Sequence, residues 1–569
     1  MIAASPRNTD LADQFDQLAD LSEILGEQSF RVAAYRRAAT RIRDTASSVA
    51  ELALQGKAKE LPDIGKTIEA KIVEIAETGE MAALAKRRAE VPVEVASFMR
   101  LPGLGPKTAA RIWRELGVST LAELQNAAES QRIRALSGLG AATETKILKA
   151  LAEGAGPSEP RRGLLGKGLP VVREVVEALR SHPSAIDVSD AGSTRRRRET
   201  FRDLDVIATS TDPAALTAHF VSLPWVLEVV AHGETKATVI DRGGLRLDLR
   251  VVPPECYGDL LQHFTGSKDH NVALREDAQR RGLSISEYGV TVVETGEVKT
   301  FRDEAALYAF LGYAYIPPEL REDGGELEAA RAGKLPHLVK LADLRGEMHC
   351  HSTWSADGKA TIEEMATAAA ARGYEFLCLT DHSHYLREGR IEEQWAEIDD
   401  VNGRLDSFRV LRGVEANINA NGIVDVPDDV LAQLDWVVAS LHTSFDKNPT
   451  ERVLAAIDNP HVDCIGHLTG RRISRRHGAD LDIDRVIGHA VETGTALEIN
   501  GQPDRLDMRD AHARLAGEAG VLIPVNTDAH SVESLAYAEL GIGQARRAWL
   551  TKEQVLNTRS WVEIEVGKT

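Results

Sequence analysis

Three aspartates in the middle of the chain have the spacing of metal ligands. Asp203 and Asp205 are two residues apart in the run DLDVIATS, and Asp248 lies within LRLDLRVV. Because alternate side chains of a strand project from the same face, Asp203 and Asp205 can share hard cations. Three converging carboxylates suit a site that transfers phosphoryl groups with two magnesium ions. A solvated strand edge with alternating charges is the alternative, but Gly192, Ser193 and four arginines precede the pair.

A second group of potential ligands lies in the last part of the chain, where histidines and carboxylates recur in six short segments. These segments read EMHCHSTWSADG, TDH, GVEAN, SLHTS, IGHLTG and NTDAH. His349 and His351 are two residues apart, as are Asp528 and His530, so each pair emerges on one side of its strand. Imidazole and carboxylate ligands together suit zinc, manganese or iron. Recurrence at six predicted strand ends favours a metal centre over incidental histidines.

Glycine-containing turns recur three times in the N-terminal part, in LPDIGKTIEAKI, LPGLGPKTAARI and LSGLGAATETKI. In the second and third copies, the pairs Gly103/Gly105 and Gly138/Gly140 lie between an apolar residue and a predicted helix start. The backbone N–H groups of such a turn, with the next helix N-terminus, can bind a phosphate. Lys107 adds a positive charge to the second copy. A helix–turn–helix packing element is the alternative for any single copy, but three copies favour phosphate binding.

The elements that would position these residues differ along the chain. From Leu11 to about Ala89, apolar residues recur at three- and four-residue spacing, which predicts an all-α region. The middle mixes strand-like runs, such as WVLEVVA and KATVIDR, with helical segments at 167–181 and 270–282. Beyond Pro336, short apolar strands alternate with helices, which is typical of a parallel α/β barrel or a doubly wound sheet. Each histidine cluster falls at the end of such a strand, where α/β folds place active sites.

Length and composition limit the possible functions. At 569 residues the chain is too long for one hydrophobic core, which predicts several domains. Two stretches rich in Gly, Pro and charge, 153–168 and 321–336, are predicted to be linkers. The net charge of −19 argues against a surface that binds nucleic acid everywhere, so any contact with DNA must be local. The four cysteines form no C-x-x-C pair and are predicted to be reduced core residues.

The middle block resembles the nucleotidyltransferase of family X DNA polymerases, through Gly-Ser-x-Arg-Arg followed by Asp-x-Asp. The resemblance extends through HFTGSKDHNVALREDAQRRGLSISEYG and IPPELRE, and the helical N-terminal part fits the same family. It implies an α+β palm in which Asp203, Asp205 and Asp248 are catalytic and hold magnesium. It also implies that nucleotide is bound by Gly192, Ser193 and Arg196 at the triphosphate, by Phe264, Thr265 and Gly266 at the sugar and base, and by Asn271 and Arg275 at the minor groove.

Two positions depart from the family pattern. Arg197 and Arg202 stand where many relatives have glycine. Since glycine allows the backbone to approach phosphate closely, these arginines predict altered nucleotide binding.

The glycine turns resemble helix-hairpin-helix motifs, which grip the DNA backbone without reading its sequence. The resemblance implies DNA contacts at Gly103, Gly105, Lys107, Gly138 and Gly140. The first copy departs from the form, because Asp63 replaces the first glycine.

A lysine of the helical N-terminal domain often forms a Schiff base with an abasic sugar in this family. Lys71 in IGKTIEAKI is the matching position, and Lys66 lies close by in sequence. A desolvated or cation-flanked lysine can be nucleophilic at neutral pH, which would give the chain 5′-deoxyribose-phosphate lyase activity. A solvated helix lysine is the ordinary alternative.

The C-terminal clusters resemble the polymerase and histidinol phosphatase (PHP) domain, a distorted α/β barrel with three metal ions. The resemblance implies hydrolysis of a phosphodiester and metal ions that are Mn²⁺, Zn²⁺ or Fe²⁺. It implies nine ligands, all present in this chain: His349, His351, Asp357, His382, Glu415, His442, His467, Asp528 and His530.

Together the two resemblances predict a gap-filling repair polymerase with a PHP-domain 3′–5′ exonuclease. The expected domains are a lyase-like helical domain at 1–90, a helix-hairpin-helix region at 91–155, a palm with its nucleotide-binding subdomain at 165–320, and the PHP domain at 337–569. The expected partners are gapped or primer–template DNA and deoxynucleoside triphosphates. A DNA-end-binding scaffold of weak activity, or a chain that acts mainly as a PHP phosphoesterase, are the alternatives.

The same reading predicts where the protein acts and in what state. No apolar run has membrane-spanning length and no charged-then-apolar leader follows Met1, which predicts a cytoplasmic protein. A monomer is expected.

Overall fold

The computed structural model describes residues 6, 8–45, 48–61, 63–99, 101, 104–136, 138–152 and 162–567. The chain divides into two compact units, Met1–Arg161 and Arg162–Thr569. In the part of the chain that is described, no helix is both long and apolar enough to cross a membrane.

The first unit is helical throughout its described residues. Its helices surround an apolar core in which Phe15, Ile72 and Phe98 are fully buried. The three- and four-residue spacing supplies this core, because a packed helix buries one apolar stripe. The helices are α1 (Asn8–Leu25), α2 (Ser29–Asp44), α3 (Val49–Leu54), α4 (Lys66–Thr78), α5 (Ala82–Glu90), α6 (Val95–Phe98), α7 (Pro106–Leu116), α8 (Leu121–Glu129) and α9 (Ala141–Ala152).

Glycine turns lead into three of these helices. Gly65 and Gly105 are the N-cap residues of α4 and α7, and Gly140 directly precedes α9. In the third turn Gly138 has φ +80°, and at the matching place in the first turn Asp63 has φ +62°. The first copy therefore keeps the left-handed turn without the glycine that usually favours it.

The second unit begins with the palm, a mixed α/β region. Its elements are β1 (Gly163–Leu164), α10 (Leu165–Arg180), β2 (Ala185–Asp190), α11 (Gly192–Arg195), β3 (Thr200–Phe201), β4 (Leu204–Ser210), α12 (Pro213–Val221), β5 (Val226–His232), β6 (Lys236–Asp241) and β7 (Arg246–Val252). The central sheet has the order β2-β4-β7-β6-β5. In this sheet β4 and β7 are parallel, and the other neighbours are antiparallel. Apolar side chains of α10 and α12 pack on it.

The region expected to form the nucleotide-binding subdomain follows the palm and has its own core. Its elements are α13 (Tyr257–Thr265), α14 (Lys268–Arg280), β8 (Leu283–Ser286), β9 (Gly289–Val292), β10 (Val298–Lys299), α15 (Glu304–Phe310) and α16 (Glu326–Arg331). The strands form an antiparallel sheet in the order β10-β9-β8. Leu274, Leu307 and Leu311 are buried in its core.

The interpretation of 321–336 as a linker is wrong. Arg321 is fully buried and donates a 2.5 Å hydrogen bond to Glu304, while Glu326 of α16 pairs with His270 at 2.6 Å. Arg321 and Glu326 are therefore paired inside the subdomain, whereas Glu322 pairs with Arg196 and Arg547. Of the other predicted linker, residues 153–161 lie outside the described part, and the remainder forms the start of the palm.

The PHP region forms the rest of the second unit. Its strands are β11 (Gly346–Cys350), β12 (Phe376–Leu379), β13 (Arg409–Asn417), β14 (Trp436–Ser440), β15 (Cys464–Ile465), β16 (Ala496–Leu497), β17 (Ile499–Asn500) and β18 (Val525–Asn526). Six strands pair in parallel in the order β11-β12-β13-β14-β15-β16, and β17 pairs in parallel with β18. The segment after β18 lies beside β11, where the His351 N–H donates to the Ala529 carbonyl at 2.8 Å.

Helices cover the outside of these strands. They are α17 (Ile362–Ala371), α18 (Arg390–Asn402), α19 (Asp428–Leu431), α20 (Pro449–Ile457), α21 (Ile483–Thr493), α22 (Asp510–Ala519), α23 (Ala538–Arg547) and α24 (Trp561–Gly567). The predicted fold class, a multidomain chain with a helical N-terminal part, a mixed middle and a C-terminal parallel α/β part, is confirmed. The four cysteines are buried and free, also as predicted.

Candidate active sites

The three aspartates of the palm come together through strand pairing. Asp205 of β4 lies directly opposite Asp248 of β7, and Asp203 immediately precedes β4. The Asp248 carboxylate accepts hydrogen bonds from the Thr238 hydroxyl and from Arg246, the latter at 3.0 Å. The two strands thus bring all three carboxylates together near the N-terminal ends of β4 and β7, in the middle of the palm sheet.

Asp205 is half-buried, like Asp203 and Asp248. Burial and the neighbouring charges of Asp203 and Asp248 together raise the pKa of its carboxyl to about 7, against the lowering effect of Arg196 and Arg202. A nearby positive charge therefore favours the ionised form of Asp205. A site of this kind fits divalent cations with oxygen ligands, because the cations would relieve the repulsion among the three carboxylates.

Gly192 packs directly against the Asp205 carboxylate. Its φ is +63°, and a Cβ at this position would lie 2.2 Å from Oδ2 of Asp205. No side chain fits there unless the carboxylate moves, so this position requires glycine both for its backbone conformation and for space.

The predicted triphosphate ligands occupy the turn after β2. Ser193 is partly buried, and its carbonyl accepts a 2.9 Å hydrogen bond from the Arg198 N–H. Arg196 donates to Glu322 at 2.9 Å and to the Thr265 carbonyl. The guanidinium predicted to bind triphosphate is therefore already paired with the Glu322 carboxylate.

The predicted sugar and base residues lie beside this arginine at the end of α13. Phe264 packs under the Arg250 guanidinium at 4.7 Å, and Thr265 supplies the carbonyl that Arg196 contacts. A Cβ at Gly266, which has φ +71°, would lie 3.0 Å from Nη1 of Arg196. The turn of the palm and the end of α13 thus form one continuous site.

The two predicted minor-groove residues lie on α14 and share one partner. Asn271 donates to the His263 carbonyl at 2.8 Å, and Arg275 contacts Nδ1 of the same histidine at 2.9 Å. Gln262 donates to the Asn271 side-chain oxygen at 2.8 Å. These contacts fix both side chains next to the end of α13.

In the PHP region, Glu415 lies at the centre of the histidine cluster. It is fully buried at the end of β13, where the parallel strands end. Its carboxylate oxygens lie 2.7 Å from His382 Nδ1, 3.0 Å from His467 Nε2, 3.2 Å from His442 Nε2, 3.6 Å from His349 Nε2 and 3.7 Å from His351 Nε2.

Two aspartates complete the cluster. Oδ1 of Asp528 lies 3.2 Å from Nε2 of His351. Oδ2 of Asp357 lies 3.5 Å from Nε2 of His382 and 3.3 Å from Nε2 of His530. All nine residues predicted for this site therefore lie in one connected cluster, although they come from seven separate places in the sequence.

The chemistry of this donor set fits metal ions. Several buried ligand atoms make no well-aligned hydrogen bond among the described residues, although other polar atoms lie close to them: Nε2 of His349, both ring nitrogens of His351 and Oε2 of Glu415. Leaving such atoms unpaired is costly, and a cation would satisfy them together. Three overlapping groups have ligand atoms within 4.8 Å of one another: His349, His351 and Glu415; His382, Glu415 and His442; and His351, His382 and His530.

Protonation differs between neighbouring histidines. Burial lowers the pKa of His351 to about 3, so its ring is neutral, as a metal ligand must be. Burial also lowers the pKa of His382, but its ion pairs with Asp357 and Glu415 raise it overall to about 10. A metal ion at His382 would therefore have to displace a proton.

Four residues around the cluster were not predicted from the sequence. Glu498 accepts from Nδ1 of His349 at 2.7 Å, and the Asn417 side-chain oxygen accepts from Nδ1 of His442 at 2.6 Å. Asn500 donates to Oδ2 of Asp528 at 3.1 Å, and Arg505 lies 3.7 Å from the same oxygen. The sequence does carry a signal for them, since the segments GVEAN and ALEINGQPDR, which contain these four residues, lie at the ends of strands.

Arg505 places a guanidinium beside this cluster. Its side chain is only 10% exposed, and the 3.7 Å contact with Asp528 is too long for a hydrogen bond. A buried guanidinium is costly unless an anion accompanies it. Arg505 therefore has donors available for an anion that enters the cluster.

The turns of the first unit leave space around their glycines. A Cβ built at Gly105, Gly138 or Gly140 would meet no atom within 4 Å. Lys107 lies in the first turn of α7. Gly103, predicted to contact DNA, lies outside the described residues, and Lys71 is partly buried in the middle of α4.

Four segments of the chain match known protein families. Residues 6–81 match a helix-hairpin-helix domain, and residues 95–153 match a SAM-like helix-hairpin-helix tandem. Residues 260–322 match the DNA polymerase beta thumb, and residues 347–500 match the PHP domain. The thumb match includes Phe264, Thr265, Gly266 and Glu322, and the PHP match includes β11 to β17.

Similar curated proteins fall into two groups. The chain is 41% identical over 567 residues to the DNA polymerase/3′-5′ exonuclease PolX of Bacillus subtilis (strain 168), which covers 98% of each chain. It is 30% identical over 236 residues to a probable phosphatase of Thermoanaerobacter sp. (strain X514), which covers 39% of this chain and 91% of that protein. A probable phosphatase of Aliivibrio fischeri is 30% identical over 234 residues, which covers 37% and 88%. The similarity to the Bacillus subtilis protein covers both groups of predicted ligands, those of the palm and those of the PHP region.

Proposed function

Because the chain belongs to the family X DNA polymerases that carry a C-terminal PHP domain, and is a DNA polymerase with 3′–5′ exonuclease activity, we propose that it fills short gaps in DNA and trims 3′ ends. The observation that supports this proposal is that two complete sets of metal ligands occur in one chain. One set is made of aspartates alone, and the other combines imidazoles with carboxylates.

At the palm, Asp203, Asp205 and Asp248 would hold magnesium ions, which when bound stabilise the charge on the attacking and leaving oxygens. The pairing of β4 with β7 sets the spacing of the carboxylates before any nucleotide arrives. Ser193 and Arg196 bind the triphosphate, and Arg196 exchanges Glu322 for phosphate oxygens when it does so. Such preorganised positioning supplies most of the catalysis of phosphoryl transfer.

At the PHP site, Glu415 and the eight residues around it would hold Mn²⁺, Zn²⁺ or Fe²⁺, which when bound supply Lewis-acid activation of the phosphodiester. Glu498 and Asn417 accept from the Nδ1 atoms of His349 and His442, so that Nε2 of each ring faces the cluster. Outer contacts of this kind fix the tautomer and the orientation of metal-binding histidines.

Arg505 binds a non-bridging oxygen of the phosphate that is cleaved. We expect Arg505→Gln to lower 3′–5′ degradation about 10- to 100-fold, because a hydrogen bond to a charged group contributes roughly 1.5–3 kcal/mol. Metal content and primer extension should be unchanged. Steady-state exonuclease assays and metal analysis check this, with Arg485→Gln, which removes an exposed arginine of the same region, as the control. Full exonuclease activity in Arg505→Gln would exclude this role.

The first unit binds the DNA backbone through its turns. The proposed contacts are the backbone N–H groups near Gly103, Gly105, Gly138 and Gly140, together with the Lys107 ammonium. The open space at three of these glycines supports a close approach of phosphate. Such contacts carry no sequence information.

Lys71 is the candidate nucleophile for release of a 5′-deoxyribose phosphate. Its partial burial in the middle of α4 supports this proposal. The substrates are gapped or primer–template DNA and deoxynucleoside triphosphates, and the protein acts as a monomer in the cytoplasm.

Assays on a gapped primer–template and on small phosphomonoesters test the proposed function. With Mg²⁺, wild-type protein should extend a primer across a short gap with a 5′-phosphate and stop when the gap is filled. With Mn²⁺, Zn²⁺ or Fe²⁺ and no nucleotide, it should shorten the same primer from its 3′ end. Binding of the gap without turnover would indicate a scaffold. Hydrolysis confined to small phosphomonoesters would indicate a phosphatase.

A further inference from the structure

The turn that carries Ser193 and Arg196 contacts the PHP region directly. This nucleotide-binding turn, residues 192–199, consists of the short helix α11 and the four residues that follow it. The structure places it against α23 of the PHP region. Three of its residues make polar contacts with PHP residues, and each contact involves an arginine.

Arg197, one of the two residues that depart from the family pattern, makes the first contact. Its φ is +57°, in the left-handed region that favours glycine, so its presence has to be compensated elsewhere. Its guanidinium lies 3.5 Å from Oε1 of Glu539 on α23. Its aliphatic part packs on Gly543 of the same helix, where an added Cβ would lie 3.1 Å from the Cβ of Arg197. Arg197 therefore extends to the PHP region.

Arg547, at the end of α23, makes the second contact. Its side chain is 4% exposed, and Nη1 donates to the Arg196 carbonyl at 3.0 Å and to Glu322 at 2.9 Å. Nη2 donates to Asp510 at 2.6 Å, which holds the guanidinium in place. Glu322 is also the carboxylate that pairs with Arg196. The PHP region thus binds both the backbone of Arg196 and its side-chain partner.

Glu199 makes the third contact, at the far end of the turn. Its carboxylate accepts a 2.6 Å hydrogen bond from Arg471, whose side chain is 5% exposed. Buried pairs of this kind hold their geometry, because breaking them leaves an uncompensated charge. The turn is therefore held by the PHP region at its middle and at its end.

We propose that the PHP region positions the nucleotide-binding turn of the palm, so that the affinity of the polymerase for deoxynucleoside triphosphates depends on Glu539 and Arg547. This inference rests on the proposed binding of triphosphate by Ser193 and Arg196. Neither Glu539 nor Arg547 forms a hydrogen bond or ion pair with any of the nine PHP ligands among the described residues. They are positioning residues, which act through Arg196 and Arg197.

The physical reason is preorganisation. A turn of eight residues that had to be ordered by each incoming nucleotide would lose binding energy to conformational entropy. Contacts with α23 order it in advance. Glu322 accepts hydrogen bonds from both Arg547 and Arg196. Because Glu322 is shared, it binds Arg196 less strongly, and the Arg196 guanidinium can leave it more easily to bind the triphosphate.

Nucleotide KM measurements on three variants test this inference. We expect Glu539→Gln and Arg197→Gly each to raise the KM for nucleotide about threefold to fivefold, the effect of a partly exposed ion pair, with kcat nearly unchanged. Arg197→Gly should fold normally, because glycine suits φ +57°. The double variant should be no worse than the more impaired single variant, because both changes remove the contact between Arg197 and Glu539. Glu539→Gln also removes the ion pair of Glu539 with Arg173 of α10, so it should be the more impaired of the two. Exonuclease rates should stay at the wild-type level.

Arg547→Lys should have a larger effect on KM, because lysine cannot reach Arg196, Glu322 and Asp510 together. Its thermal unfolding is measured alongside. Glu451→Gln, which breaks an exposed ion pair with Arg485 elsewhere in the PHP region, is the matched control and should leave KM unchanged.

Two outcomes separate the inference from the function on which it rests. If Ser193→Ala raises the nucleotide KM but Glu539→Gln, Arg197→Gly and Arg547→Lys do not, the positioning role is wrong and the triphosphate site stands. If Ser193→Ala also leaves KM unchanged, the assignment of the triphosphate site itself is wrong.

Discussion

The double variant His349→Ala/His351→Ala should lose 3′–5′ degradation by at least roughly 10³-fold, since metal ions contribute several kcal/mol to phosphoester cleavage. Both rings are fully buried, and their Nε2 atoms face Glu415 at 3.6 and 3.7 Å. Two of the three groups of described residues that could hold an ion contain one or both of these histidines. Bound Mn²⁺, Zn²⁺ or Fe²⁺ should fall together with the activity.

Primer extension with Mg²⁺ should persist in this variant, because the palm aspartates lie on different strands and bind through oxygen alone. His461→Ala, which removes a partly buried histidine outside the nine, is the control and should keep its full exonuclease rate. Metal analysis, degradation and extension are measured on the same preparations. Full exonuclease activity in the double variant would show that the nuclease site is elsewhere.

Asp205→Asn should lower nucleotide addition by roughly 10³-fold or more, because it removes the central charge of the magnesium site while keeping the shape of the side chain. Exonuclease activity should remain near the wild-type rate. Single-nucleotide insertion and 3′ degradation are the measurements. Asp187→Asn, on the neighbouring strand β2, changes an aspartate that is not part of the group and should insert nucleotides normally.

The pKa of Asp205 gives a separate check on folding. Its folded pKa, about 7, is above the ordinary value of 3.8, so the folded state binds the proton more tightly than the unfolded state. In metal-free protein, this group therefore costs stability increasingly as the pH rises from about 4 to about 7. Asp205→Asn removes that cost, and at pH 8 without metal it should unfold at a temperature no lower than wild type. Clear destabilisation would mean that lost activity reflects misfolding.

Much of the candidate chemistry could be predicted because side-chain periodicity is local. Asp203 and Asp205, or His349 and His351, share a face whatever the strand pairs with. The pairing of β4 with β7 could not be predicted, because register depends on the whole sheet and not on either strand alone. It is this register that brings Asp248 beside Asp205.

Contacts between distant parts of the chain could not be predicted from local sequence patterns. From the sequence, Arg197 predicts only altered nucleotide binding, whereas in the structure it lies beside Glu539, which is distant in sequence. Likewise the charges of 321–336 indicated a solvated linker, whereas Arg321 is buried against Glu304. In each case the residue type is evident from the sequence, but the partner residue that decides its role lies in another element.

The central claim is that one chain holds two independent metal-dependent sites, and it is tested most directly by assaying the Asp205→Asn and His349→Ala/His351→Ala variants together on one gapped primer–template. The assay records extension with Mg²⁺ and nucleotides, and shortening with Mn²⁺ and no nucleotides. We predict reciprocal losses, in which the first variant shortens but does not extend and the second extends but does not shorten. Loss of both activities in either folded variant would contradict the account.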